Sequence, residues 1–147
     1  MNIKSGFSIL ISNLFVLLIS SCASAQLLNG STLSPIETQT VVNQVEPGSI
    51  LIIGEMHGLV PVQAQQMEIL NALRAKGLKL ALGFEFFNYA DQKFIDDFRA
   101  KRINEVDFLK AISWGNISFN FYKTQLLFPD AQLNEKALGL NVPSFVT

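Results

Sequence analysis

The only histidine of this chain, His57, stands two residues after a glutamate in Gly54-Glu55-Met56-His57-Gly58. An imidazole can ligate haem iron or another metal, or act as a base. In an extended segment, residues two apart point the same way, so Glu55 and His57 can converge on one ligand. A second acid, Glu85, closes the stretch Leu78-Lys79-Leu80-Ala81-Leu82-Gly83-Phe84-Glu85. Together the three side chains offer one nitrogen and two carboxylates. That set cannot close a structural zinc site, but it suits a divalent metal with open positions or acid–base work on water. Each residue also has a plainer use. His57 can be hydrogen-bonded at a strand end, Glu85 can cap the next helix or pair with a basic residue, and Glu55 can receive N–H groups of its own loop.

These residues need elements to position them. Before Gly54 runs Ile50-Leu51-Ile52-Ile53, apolar and mostly β-branched. Such a run reads as a strand buried on both faces, as in a parallel sheet. Open α/β sheets bind ligands just beyond the carboxyl ends of their strands, which is where Glu55 and His57 fall. Pro61 suits a first helical position, and Val62, Ile69, Leu70 and Leu73 share one helical face. Arg74, Lys76 and Gly77 then supply the stop signals. The sequence therefore predicts a strand over residues 50–54, a helix over 61–76 and a strand over 78–85. That is a right-handed βαβ crossover, and adjacent strands would bring Glu85 to the rim that carries Glu55 and His57.

Beyond the second strand, Phe86, Phe87 and Tyr89 lie in a loop and read as pocket walls. A helix is expected over residues 90–101 with Phe94, Ile95 and Phe98 inward. Asn104, with Asp107 three residues later, caps a third helix that buries Phe108, Leu109 and Ile112. Trp114-Gly115-Asn116 breaks it. A further helix runs from Phe119 to near Glu135, kinked or divided by Pro129, and residues 137–143 resemble a third buried strand running into a loop. Trp114, Phe119, Phe121 and Tyr122 can wall a flat hydrophobic ligand such as a porphyrin, with Tyr122 as a phenolate ligand. Plain core is the commoner use of such a cluster. The fold class is α/β, a parallel sheet with βαβ crossovers flanked by helices. Three parallel strands with an apolar end make a poor place for a domain to finish, so the chain is expected to be the N-terminal half of a larger fold.

Residues 1–21 read as a signal peptide: Lys4, an apolar run over residues 7–19, then small residues. Ile19-Ser20-Ser21-Cys22 resembles a bacterial lipobox, whereas Ala23-Ser24-Ala25 before Gln26 fits ordinary cleavage. The sole cysteine lies where acylation needs it, which favours lipidation of Cys22 and an anchor in outer-membrane lipid. Cleavage at Ala25 would instead leave a soluble periplasmic or secreted protein. Residues 22–44 form a polar tether with room for a short helix or strand, and residues 45–147 the α/β domain. A single cysteine rules out an internal disulfide. The formal charge of -1, without any basic stripe, speaks against nucleic acid.

The ordered set Gly54-Glu55-Met56-His57, a helix with Gln66, Gly83-Phe84-Glu85-Phe86-Phe87, then Gln92, Trp114, Tyr122 and Leu140-Asn141-Val142-Pro143 resembles the ChaN-type haem-binding uptake family. That family lies within the wider Tiki, TraB and erythromycin-esterase-like superfamily. The resemblance implies a surface-attached lipoprotein that binds haem for iron uptake, with dimerisation and further ligands from a later half. His57, Glu85, Phe86, Phe87, Trp114 and Tyr122 then become the candidate haem contacts. The wider superfamily implies the alternative of a hydrolase using Glu55, His57 and Glu85, in some cases with a divalent metal. A third alternative is a remnant that keeps only the βαβ core. The chain departs from the family pattern at Val62 and Gln63, where histidines are common, and at Ser144, where arginine is common.

Overall fold

The structure is a computed structural model that describes residues 25–143. The expected leader and the expected lipidation site Cys22 fall in residues 1–24, which with residues 144–147 lie outside the described residues. Five helices and two strands follow in the order α1 (Thr38–Gln44), α2 (Val60–Ala75), β1 (Ala81–Asn88), α3 (Gln92–Arg99), α4 (Glu105–Ala111), α5 (Asn120–Leu127) and β2 (Lys136–Asn141). Short 3-10 turns at Tyr89–Asp91 and Ala131–Leu133 lead into α3 and β2. The architecture is α/β, as the sequence predicts, with β1 and β2 paired in parallel. Among the described residues, no helix is long and apolar enough to cross a membrane.

Most local signals act where they stand. Pro61 occupies the first turn of α2. At the other end Gly77 takes φ +89°, its N–H reaches the Arg74 carbonyl, and the Leu78 N–H reaches that of Leu73. This left-handed cap ends the helix. Lys76 turns back to donate to the carbonyls of Val42, Asn43 and Val45, so α1 ends on a cation anchored in α2. The end of the expected tether is thus a docked helix whose Val42 is fully buried. Asn104 accepts from the Asp107 N–H at 2.9 Å and caps α4 as expected. The helix over α5 stops before Pro129, and Asp130 caps the turn that follows.

The first expected strand is the correction. Residues 50–54 join no ladder among the described residues, and the strand beside β1 is β2. Ile50 and Ile52 are 90% and 88% exposed, while Ile53 packs toward Val42, Ile69 and Leu73 between α1 and α2. A β-branched apolar run records a preference for the pleated sheet and says nothing of which edge it will meet. The βαβ crossover of the sequence therefore reduces to helix and strand, and the parallel pair is closed instead across α3, α4 and α5.

The β1–β2 register is regular from Ala81↔Lys136 to Phe84↔Gly139 and then slips to Asn88↔Asn141. Glu85, Phe86 and Phe87 thus face the single residue Leu140, a bulge that resets the alternation of the strand. Phe84 and Phe87 are both buried although three residues apart, and Glu85 is exposed. Under β1 lies an aromatic core of Phe84, Phe87, Phe98, Phe108 and Phe119, with Ile95, Ile112, Leu126 and Ala137. Phe98 and Phe108 stack with centroids 4.5 Å apart. Gln92 binds β2 to α3: its amide donates to the Ala137 carbonyl at 2.9 Å and accepts from the Gly139 N–H at 3.1 Å.

Candidate functional site

The loop between residue 54 and α2 carries the chemistry. Gly58, at φ +78°, turns the chain into α2. On the loop, His57 Nδ1 lies 2.7 Å from Glu55 Oε1, so the spacing of two does bring imidazole and carboxylate together. The Glu55 side chain is 13% exposed and that of His57 55%. The ring is therefore gripped at one nitrogen and open to solvent elsewhere.

Helix α5 supplies the grip. The Tyr122 hydroxyl is 3.2 Å from His57 Nδ1, and the two rings meet edge-on with centroids 6.4 Å apart. One turn further on, Gln125 donates to the Gln66 side-chain oxygen. Gln66 in turn donates to the Gly54 carbonyl at 3.1 Å. Both glutamines are buried. A buried amide needs partners, and here each supplies the other, so the relay fixes the loop at its first residue while Tyr122 fixes it at the histidine. Gln66 belonged to the sequence pattern. Gln125 did not, because an amide on a helix gives no sign of its partner until α2 and α5 meet.

Tyr122 is 1% exposed and sits between Phe86 and Trp114, with ring centroids 4.3 and 5.8 Å away. Burial pushes its phenol up to about 12, and the Glu55 carboxylate adds to the effect. The group is a protonated phenol at physiological pH, placed to hydrogen-bond with its neighbours on the histidine loop. Phe87, expected as a pocket wall, is buried in the core against Phe84, Phe108 and Trp114. Trp114 is half-buried and its indole N–H donates to the Ile117 carbonyl at 2.7 Å. Tyr89 is exposed on the 3-10 turn after β1.

Glu85 stands apart. Its side chain is exposed on the bulge and enters no hydrogen bond or ion pair with a side chain or loop among the described residues. Among the described residues, no group of three or more His, Cys, Asp and Glu side chains comes together to hold a metal. Glu55 and His57 are thus a pair, without Glu85 as the third donor that the sequence reading placed beside them. Two clefts, of about 800 and 410 Å³, run along α3 and α5, and neither is lined by Glu55, His57 or Glu85. His57 faces open solvent, in a loop whose neighbours Met56, Leu59 and Val60 are exposed apolar side chains.

A family model described as haem-binding uptake, Tiki superfamily, ChaN matches residues 41–147. The chain belongs to this ChaN family. No curated protein and no solved structure matches it. The matched span holds every element from α1 onward except the first residues of that helix, and with them the Glu55–His57 loop and the α5 residues that hold it.

Proposed function

We propose that this ChaN-family chain binds haem, or a closely related iron porphyrin, at His57 and serves haem uptake at the bacterial cell envelope. One observation carries the reading: the only imidazole of the chain is exposed, is held at one ring nitrogen by Glu55, and is bordered by exposed Met56, Leu59 and Val60. An imidazole nitrogen is a common axial donor to haem iron, and an apolar apron beside it offers a porphyrin face its partner. The donor set fits the group. Haem here is cargo, its iron supplying no turnover that this role requires, and the chain's residues only bind and orient it.

Acylated Cys22 would tether the domain to outer-membrane lipid. A second copy is the expected partner in the haem-loaded state. The test is titration of the full chain with ferric haem: a saturable Soret shift in the natural chain, lost or displaced in His57→Ala, supports the reading. Unchanged affinity and spectrum in His57→Ala would remove His57 from the site.

A second reading uses the same pair. A carboxylate 2.7 Å from an imidazole is an arrangement that activates water as a general base. Hydrolysis of model esters or peptides that disappears in both His57→Ala and Glu55→Ala, with no haem titration, would favour this hydrolase, with or without a divalent metal.

A further inference from the structure

Glu55 Oε1 and His57 Nδ1 are too close, at 2.7 Å, for two lone pairs to face each other, so a proton lies between them. The Tyr122 hydroxyl oxygen is 3.2 Å from the same nitrogen. A carboxylate only accepts, a neutral imidazole carries one N–H, and a phenol one O–H, which leaves two protons for three groups. Put the first on Nδ1. Its N–H then donates to Glu55 and passes near the phenol oxygen, and the Tyr122 proton is free to turn toward the carboxylate. Put it on Nε2 instead, and Tyr122 can donate to Nδ1, but the mostly buried carboxylate meets a bare lone pair with nothing between. A neutral Glu55 donating to Nδ1 would also fill the gap, but it would put the ring proton on Nε2, which ¹⁵N-histidine labelling tells apart.

We infer that Glu55 and Tyr122 are positioning residues that hold His57 in the tautomer protonated at Nδ1, leaving the Nε2 lone pair as the ring's single ligating atom. The ring's solvent exposure makes that atom available. A carboxylate on the far nitrogen makes the ligating nitrogen more basic. Glu55 thereby strengthens the bond to ferric iron and lowers the reduction potential of bound haem. This second consequence rests on the haem reading above; the tautomer does not.

Because the chain holds one histidine, ¹⁵N-histidine labelling of the full chain gives a single ring to read. In the haem-free protein, at a pH where the ring is neutral, a proton on Nδ1 is expected, and in Glu55→Ala a move toward the Nε2-protonated form. A natural chain protonated mainly at Nε2, or a tautomer unchanged in Glu55→Ala, overturns the inference. In the haem-loaded protein, Glu55→Ala is expected to keep a Soret band, to lose about 10- to 100-fold in affinity and to show a raised midpoint potential, with Glu55→Gln in between. Equal potentials in the natural chain and both variants overturn the role toward iron. Absence of any Soret change in the natural chain would sink the haem reading and leave the tautomer result standing on its own.

Discussion

Gln125 on α5 and Gln66 on α2 are joined side chain to side chain inside the protein, and through Gln66 the pair reaches the backbone of Gly54. Helices α2 and α5 are thereby tied to the loop that bears Glu55 and His57. The loop's position depends on this link more than on any sheet.

Gln125→Leu should therefore cost stability and loosen the loop. It leaves the Gln66 oxygen buried without a donor, for which about 1–3 kcal/mol is expected. Urea unfolding gives the stability loss. Limited proteolysis between residues 49 and 59 should speed up in the variant, and an unchanged cleavage rate would deny the link its role.

Arg74 and Glu135 predict how the fold responds to acid. Burial alone would push the Glu135 carboxyl up, but the Arg74 guanidinium and the Asp130 N–H outweigh it and hold the group below its usual value of 4.5. A carboxyl depressed in the folded state stabilises fully above that value, and the contribution disappears as pH falls through the lower folded value. Thermal melting should thus hold steady down to about pH 5 and then fall, with a shallower acid limb in Glu135→Gln. That substitution also leaves Arg74, whose cation sits 3.7 Å over the Phe128 ring, without its anion. About 2 kcal/mol should be lost at neutral pH, less than the about 3–5 kcal/mol of a fully buried pair because Arg74 keeps some solvent contact.

Two strand glycines should respond differently to alanine. A Cβ on Gly139 would overlap the Asn88 carbonyl oxygen, which is backbone and held by the β1–β2 register. A Cβ on Gly83 would meet the Leu140 side chain, which is exposed and can swing away. Gly139→Ala is expected to lose about 1–3 kcal/mol and Gly83→Ala much less. Denaturant midpoints of the two variants rank them directly, and the reverse order would contradict the bulged pairing.

Ile52→Lys distinguishes the observed loop from the buried strand that composition implies. At 88% exposure and outside any ladder, the residue should accept a charge within about 0.5 kcal/mol. A loss of several times that would return residues 50–54 to a sheet.

Signals that act within a few residues were readable from the chain alone: Pro61 and Gly77 bounding α2, Asn104 capping α4, the apolar stretch of β2, and the two-residue step that brings Glu55 to His57. Each depends on backbone geometry that neighbours in sequence dictate, so no distant partner was needed to see it. The tertiary structure alone decided that Ile50 and Ile52 stay outside the sheet, that a bulge turns Glu85 to solvent, and that α5 meets the histidine loop, Tyr122 directly and Gln125 through Gln66. Those outcomes rest on which edge pairs with which and on which helices meet, contacts between residues tens of positions apart. Apolarity and spacing leave them open, because a β-branched run, an acid at a strand end and an amide on a helix suit several partners equally until the chain has closed.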